Sequence, residues 1–154
     1  MRRMHSGARH SRHDYRLIGW CEWLDLPDLG IERIKAKVDT GARTSALHAE
    51  DIRTFERHGR LYVAFHTPDS AAPREALVRD LRTVRSSSGH AERRCVIETG
   101  LRLGEHTWRA EITLTQREHM RYPMLLGRSA IAGPYLINPA RSFLGGRRAA
   151  LSLP

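Results

Sequence analysis

Asp39-Thr40-Gly41-Ala42 follows the run Ile34-Lys35-Ala36-Lys37-Val38, in which apolar residues alternate with lysines. The period of two predicts a half-buried strand, which places the Asp39 carboxylate at a strand end before a small hydroxyl residue and a glycine turn. A carboxylate so presented can activate water if a second one lies beside it. Two carboxylates about 3 Å apart cannot both ionise, so one keeps a proton and the other acts as base. The ionised member takes a proton from water while the protonated one polarises a carbonyl. The two titrate as a unit. This chemistry cleaves a peptide bond with neither a metal nor a nucleophilic side chain. A second segment, Pro123-Met124-Leu125-Leu126-Gly127-Arg128, has two apolar residues before Gly-Arg and a short apolar turn, Ser129 to Ile131, after it.

Each residue has an expected task. Asp39, Thr40 and Gly41 form the catalytic set, with Thr40 hydrogen-bonding to a second chain and Gly41 permitting the tight turn. Ala42 packs against the turn and contacts substrate. Gly127 lets a neighbouring strand pass behind the loop, and Arg128, planar and always charged, braces it. The chain has one Asp-Thr-Gly, and a two-lobed enzyme would need a second copy and about twice the length. The pair of carboxylates must then come from Asp39 and its mate across a two-fold axis, which predicts a homodimer.

The elements that must hold these residues read mostly as strands. Leu17 to Leu24 is a short apolar-aromatic segment ending at the Asp25-Leu26-Pro27-Asp28 turn. Leu61, Val63 and Phe65 alternate with Tyr62, Ala64 and His66. Ala76 to Val84 and Cys95 to Leu103 are further strands, separated by the turn Ser86-Ser87-Ser88-Gly89-His90. That turn is the expected tip of a flap closing over substrate, which makes Ser88 and Gly89 substrate-binding residues. Leu101 to Trp108 reads as a hairpin turning at Gly104-Glu105, and Ala110, Ile112 and Leu114 continue its period of two. The one expected helix is short and begins near Gly127-Arg128. Such a pattern points to an all-β barrel or sandwich. Residues 1–16 and 145–154 read as basic tails around a single domain spanning 17–144.

Composition narrows the function classes. The 154 residues carry 26 Lys and Arg against 17 Asp and Glu, a net charge of +9. Such a field attracts anions, whether nucleic acid, ribosomes or an acidic peptide. No apolar run approaches the roughly 20 residues that cross a membrane, and the first residues lack the apolar stretch of a signal peptide. Cys21 and Cys95 show no metal or redox spacing. The expected protein is cytosolic, with two structural cysteines and no cofactor.

These residues resemble the retropepsin-like aspartic proteases. The segments Lys35 to Ala49, Thr113 to Arg117 and Met120 to Arg128 are similar to one branch, the family labelled "ATP-dependent zinc protease", some members of which sit beside the ATP-grasp ligase that adds glutamates to ribosomal protein S6. The likeness runs from about Ile18 to Pro139. It implies a closed retropepsin-like barrel and an Asp-dependent endopeptidase trimming glutamate tails of a ribosomal protein, with the ligase as a partner. A +9 chain suits such an acidic substrate. Two positions depart from viral members. Lys37 replaces an apolar residue, and Arg43 stands where a carboxylate often pairs with the Gly-Arg arginine. Arg128 is then expected to find Glu50 or Asp51.

Other readings are weaker. No HExxH, paired cysteines or helical His-x3-His supports a zinc site, and no GxxxxGK[ST] supports ATP binding. His48, His66, His106 and His119 read as structural or solvated, with His48 retained as a neighbour of Asp39. A Ser45, His48 and Asp51 triad lacks a nucleophile elbow. Trp20, Trp23 and Trp108 read as core or interface residues. The competing class is a silent binding module of the same fold, taking acidic peptides or ribosomal RNA through its arginines.

Overall fold

The computed structural model describes residues 14–85, 88–116 and 121–150; for residues 14, 149 and 150 only the backbone is described. Among the described residues the chain is all-β apart from one short helix and a 3-10 turn. Its strands are β1 (Asp14–Ile18), β2 (Cys21–Leu26), β3 (Ile31–Asp39), β4 (Ser45–His48), β5 (Glu50–Arg57), β6 (Arg60–His66), β7 (Arg74–Leu77), β8 (Asp80–Arg85), β9 (Ala91–Leu103), β10 (His106–Thr115), β11 (Met124–Gly127), β12 (Tyr135–Ile137) and β13 (Arg147–Ala150). Helix α1 (Arg128–Ile131) follows Gly127 directly, and a 3-10 turn occupies Pro27–Leu29.

Six strands pair in a closed ring in the order β10-β4-β11-β3-β2-β9, with β9 pairing back to β10 and β8 attached outside β9. The ring closes around one apolar core, where Leu24, Leu47, Ile97, Ile112, Met124 and Leu126 are fully buried. A second sheet, β5-β6-β7, adds Val63 and Phe65 to the same cluster. It is tied to the ring by the Arg74 guanidinium, which donates to the Leu29 carbonyl and to Asp69. The third sheet, β12-β1-β13, brings the two ends of the described chain together.

Several expected elements stand as read. The Leu101 to Trp108 hairpin turns at Gly104-Glu105, with Leu103 opposite His106 and Gly104 at φ 59°. In β3, Ala36 is buried between Lys35 and the exposed Lys37. Others differ. Ala76 to Val84 is two strands: the Val78 N–H donates to Leu61 O and the next, Arg79 N–H, to Val96 O. The chain therefore leaves β6 for β9 within two residues, and β7 and β8 belong to different sheets. Asp14–Arg16 and Arg147–Ala150, read as parts of the tails, pair with each other in β1 and β13. Arg147-Arg148-Ala149-Ala150 shows no alternation and β1 is five residues long; the remainder of both tails lies outside the described residues. The start of β5 escapes a pattern reading because Asp51 sits at φ 52° and breaks the register between Glu50 and Arg53. Among the described residues no helix is long and apolar enough to cross a membrane. Cys21 and Cys95 are free and buried, and burial pushes both thiols up.

One buried carboxylate anchors the segment that leads into β13. Glu22 is 1% exposed and accepts the N–H groups of Gly19 at 2.7 Å, Leu144 at 2.8 Å and Gly145 at 2.9 Å. Removing it takes the acceptor from three backbone donors, of which Gly19 is buried while Leu144 and Gly145 reach solvent, and a stranded buried donor costs about 1–3 kcal/mol. Glu22→Ala is therefore expected to lose at least about 1 kcal/mol in urea unfolding, with Glu22→Gln losing less. Unchanged stability in Glu22→Ala would contradict the anchor.

Candidate active site

Asp39 is the last residue of β3 and lies opposite Gly127 in the parallel β3–β11 pairing. The turn after it is held from both sides. From within, the Gly41 N–H donates to Asp39 Oδ1 at 3.0 Å and the Ala42 N–H to Asp39 O at 3.2 Å. From outside, the start of α1 supplies three donors. Arg128 Nη1 donates to Thr40 O at 3.1 Å, Arg128 N–H to Ala42 O at 2.9 Å and Ser129 N–H to Arg43 O at 3.0 Å. These bonds set the position of the Asp39 carboxylate relative to the ring. Among the described residues its Oδ2 has no hydrogen-bond partner.

The glycines work through close approach. A Cβ on Gly127 would stand 2.6 Å from the Thr44 carbonyl carbon and 2.9 Å from Ser45 N. The chain leaving the turn thus passes against β11 with no room for a side chain. The contact is fixed by the Gly127 N–H donating to the buried Ser45 Oγ at 3.0 Å. A Cβ on Gly41 would stand 3.2 Å from Asp39 Oδ1, crowding the carboxylate that its own N–H orients.

An open cavity of about 450 Å³ lies beside the turn, lined by Asp39, Gly41, Ala42, Arg43 and Thr44 together with Ala46, Thr113 and Leu125 from the ring and Val84, Arg85 and Arg94 from the β8–β9 hairpin. Asp39, Gly41 and Ala42 therefore meet at one cavity, while Gly127 and Arg128 hold the loop from behind. Thr40 is exposed and lies outside the cavity lining. Ser88 and Gly89 sit exposed at the tip of the hairpin, beyond the residues that line the cavity. Ser86 and Ser87 lie outside the described residues.

One expectation is corrected. Arg128 bonds neither Glu50 nor Asp51: Glu50 pairs with His48 at 3.5 Å and Asp51 with His66 at 3.5 Å, and the guanidinium takes the Thr40 carbonyl instead. With Arg43 in place of a carboxylate, a backbone oxygen serves as acceptor. Trp20 and Trp23, expected in the core or at an interface, lie outside the core at 39% and 37% exposed. Trp23 stacks on Phe143 beneath Arg33 and Lys35, and Trp20 meets Tyr122 edge-on. Trp108 does pack inward, against Tyr135, donating to Ala130 O. His48 borders a different, apolar cavity of about 220 Å³ with Trp23 and Pro123. Ser45, engaged by Gly127, forms no triad with His48 and Asp51. His119 lies outside the described residues. Among the described residues no group of three His, Cys, Asp or Glu could hold a metal ion.

Val84, Arg85 and Arg94 are the cavity residues that motif reading missed, and Thr113, though in a quoted segment, was given no place at the site. The first three reach the cavity through the pairing of β8 with β9 and of β9 with β10. The basic character of the chain was the one available signal.

Comparison with known proteins agrees with this geometry. Residues 17–148 match the family model described as RimB-like, retropepsin-like aspartic endopeptidase RimB. A protein of Shewanella halifaxensis named "Probable alpha-L-glutamate ligase" is 43% identical over 138 residues, 86% of this chain and 30% of that protein. One of Desulfotalea psychrophila with the same name is 43% identical over 131 residues, 81% of this chain and 28% of that protein. The chain thus spans less than a third of the length of these relatives. A crystal structure of a Legionella pneumophila protein of unknown function superposes with a TM-score of 0.71 at 29% identity, covering 84% of this chain and 98% of that one. With the family model matched across most of its length and the Asp-Thr-Gly turn braced by Gly-Arg, the chain belongs to the RimB-like family of retropepsin-like aspartic endopeptidases.

Proposed function

We propose that the protein is an aspartic peptidase in which Asp39 of each chain of a homodimer forms the carboxylate pair. The observation that carries this reading is the Asp39 carboxylate itself, oriented by the Gly41 N–H and bordering an open cavity. A second Asp39, brought up by a two-fold axis, would share one proton with the first. The ionised carboxylate takes a proton from water as the water oxygen attacks the scissile carbonyl carbon. The protonated one gives its proton to the carbonyl oxygen. Collapse of the tetrahedral intermediate breaks the C–N bond, and a carboxyl proton passes to the departing amine. Thr40 would tie the two turns together across the axis, and the β8–β9 hairpin, with Ser88 and Gly89 at its tip, would close over the peptide.

The substrate class proposed is an acidic peptide, a glutamate-rich tail of a ribosomal protein being the leading example. Support comes from the +9 charge, the arginines at the cavity, and relatives named as glutamate ligases, three times the length of the matched region. A ligase that adds glutamates and a peptidase that removes them act on the same tail, so a glutamate ligase is the proposed partner, in the cytoplasm.

Wild-type protein incubated with a glutamate-tailed peptide is expected to shorten the tail by mass spectrometry, and Asp39→Asn to be at least about 100-fold slower. Equal cleavage by both proteins would exclude Asp39. Intact peptide with wild type, together with tight binding, would favour a silent binding module. Gly127→Ala must displace the Thr44 backbone, an overpacking cost of about 1–3 kcal/mol. We expect it to fold with a lowered thermal midpoint and to lose most of its activity; full activity would contradict the role given to this contact.

A further inference from the structure

Resting on the reading of the cavity beside Asp39 as the substrate cleft, we propose that Arg43 and Arg85 are the residues that select acidic side chains next to the scissile bond. Among the described residues that line the cavity three are arginines, and Asp39 is the one carboxylate. Arg94 is already engaged: Nε meets Glu92 Oε2 at 2.9 Å, Nη1 donates to Thr113 Oγ1, and the side chain is 15% exposed. Arg43 and Arg85 are exposed, and among the described residues neither guanidinium forms an ion pair with a carboxylate. They come from different elements. Arg43 follows the Asp39 turn, its carbonyl held by Ser129 N–H, and Arg85 ends β8 opposite Ala91, next to the hairpin tip.

A substrate carboxylate entering this cleft meets the negative charge of the Asp39 pair and needs a countercharge close by. A guanidinium suits that task because it stays charged and can hold a carboxylate through two parallel N–H···O bonds. Arg43 also accounts for the departure at that position. With Arg128 bonded to the Thr40 carbonyl, the position after Ala42 carries no structural ion pair and is left to face the ligand. Because Arg85 is on the hairpin, closure of the hairpin would carry it toward the peptide.

The test separates selectivity from catalysis by measuring binding in an Asp39→Asn background. Fluorescein-labelled deca-glutamate and deca-glutamine peptides are titrated at about 0.1 M salt, where screening beyond about 10 Å suppresses remote charge, and followed by anisotropy. Asp39→Asn is expected to bind the glutamate peptide at least about tenfold tighter than the glutamine peptide. Adding Arg43→Gln and Arg85→Gln is expected to bring that ratio close to one, while Arg43→Lys with Arg85→Lys retains part of it. Arg53→Gln with Arg60→Gln, which removes the same charge from the β5–β6 sheet, is expected to leave it unchanged. A ratio that survives loss of Arg43 and Arg85, a ratio that falls equally in the Arg53 and Arg60 control, or no preference in the starting protein would each overturn the assignment. Thermal midpoints of all variants distinguish lost selectivity from lost folding. Hydrolysis by the wild type is read separately. Selective binding without Asp39-dependent cleavage would overturn the peptidase reading and leave the two arginines as the acidic-peptide site.

Discussion

The contact between Gly127 and the backbone at Thr44 and Ser45 is the constraint on which the site depends. It lets β4 begin directly against the end of β11, with no side chain between the two backbones. That proximity brings Thr40, Ala42 and Arg43 within reach of the first residues of α1, whose donors take their carbonyls. Asp39 is then held at one end by its pairing opposite Gly127 and at the other by the braced turn. A carboxylate on a freely moving loop could not keep the roughly 3 Å approach to a second carboxylate that proton sharing demands.

The ring of strands supplies the wall of the cleft and the hairpin supplies its roof. The last part of β10, Ile112 to Thr115, is buried at every position, pairing with β4 throughout and with β9 as far as Thr113. This gives Asp39 a stiff floor, with Thr113 donating to Ser45 O beneath the cavity. The β8–β9 hairpin extends outside the ring, with Ser88 and Gly89 exposed at its tip.

Much of this was legible in the residues. Val38-Asp39-Thr40-Gly41 and Leu126-Gly127-Arg128 placed the turn, its brace and the short helix, because strand alternation and glycine positions are local signals. The split between β7 and β8 was not legible, since Val78 and Arg79 donate to different sheets through backbone atoms and no side-chain pattern marks the crossing. The partner of Arg128 was missed for a similar reason: a main-chain carbonyl leaves no trace in composition. Arg85 and Arg94 lie more than forty residues from Asp39 along the chain and join it only through the pairing of β9 with β10. Of the terminal strands, β13 lacks alternation and β1 is short, and Glu22 gave no hint that it would be buried beneath three backbone donors.

An active site that takes Asp39 from two chains responds to mixing of active and inactive chains. Wild-type and Asp39→Asn chains are unfolded together in equal amounts, refolded, and assayed at fixed total protein on a glutamate-tailed peptide. If both carboxylates are needed and pairing is random, only dimers of two wild-type chains cleave, and activity falls to about a quarter of the wild-type value. Activity of about half, tracking the wild-type fraction, would mean that each chain works alone and would contradict the account.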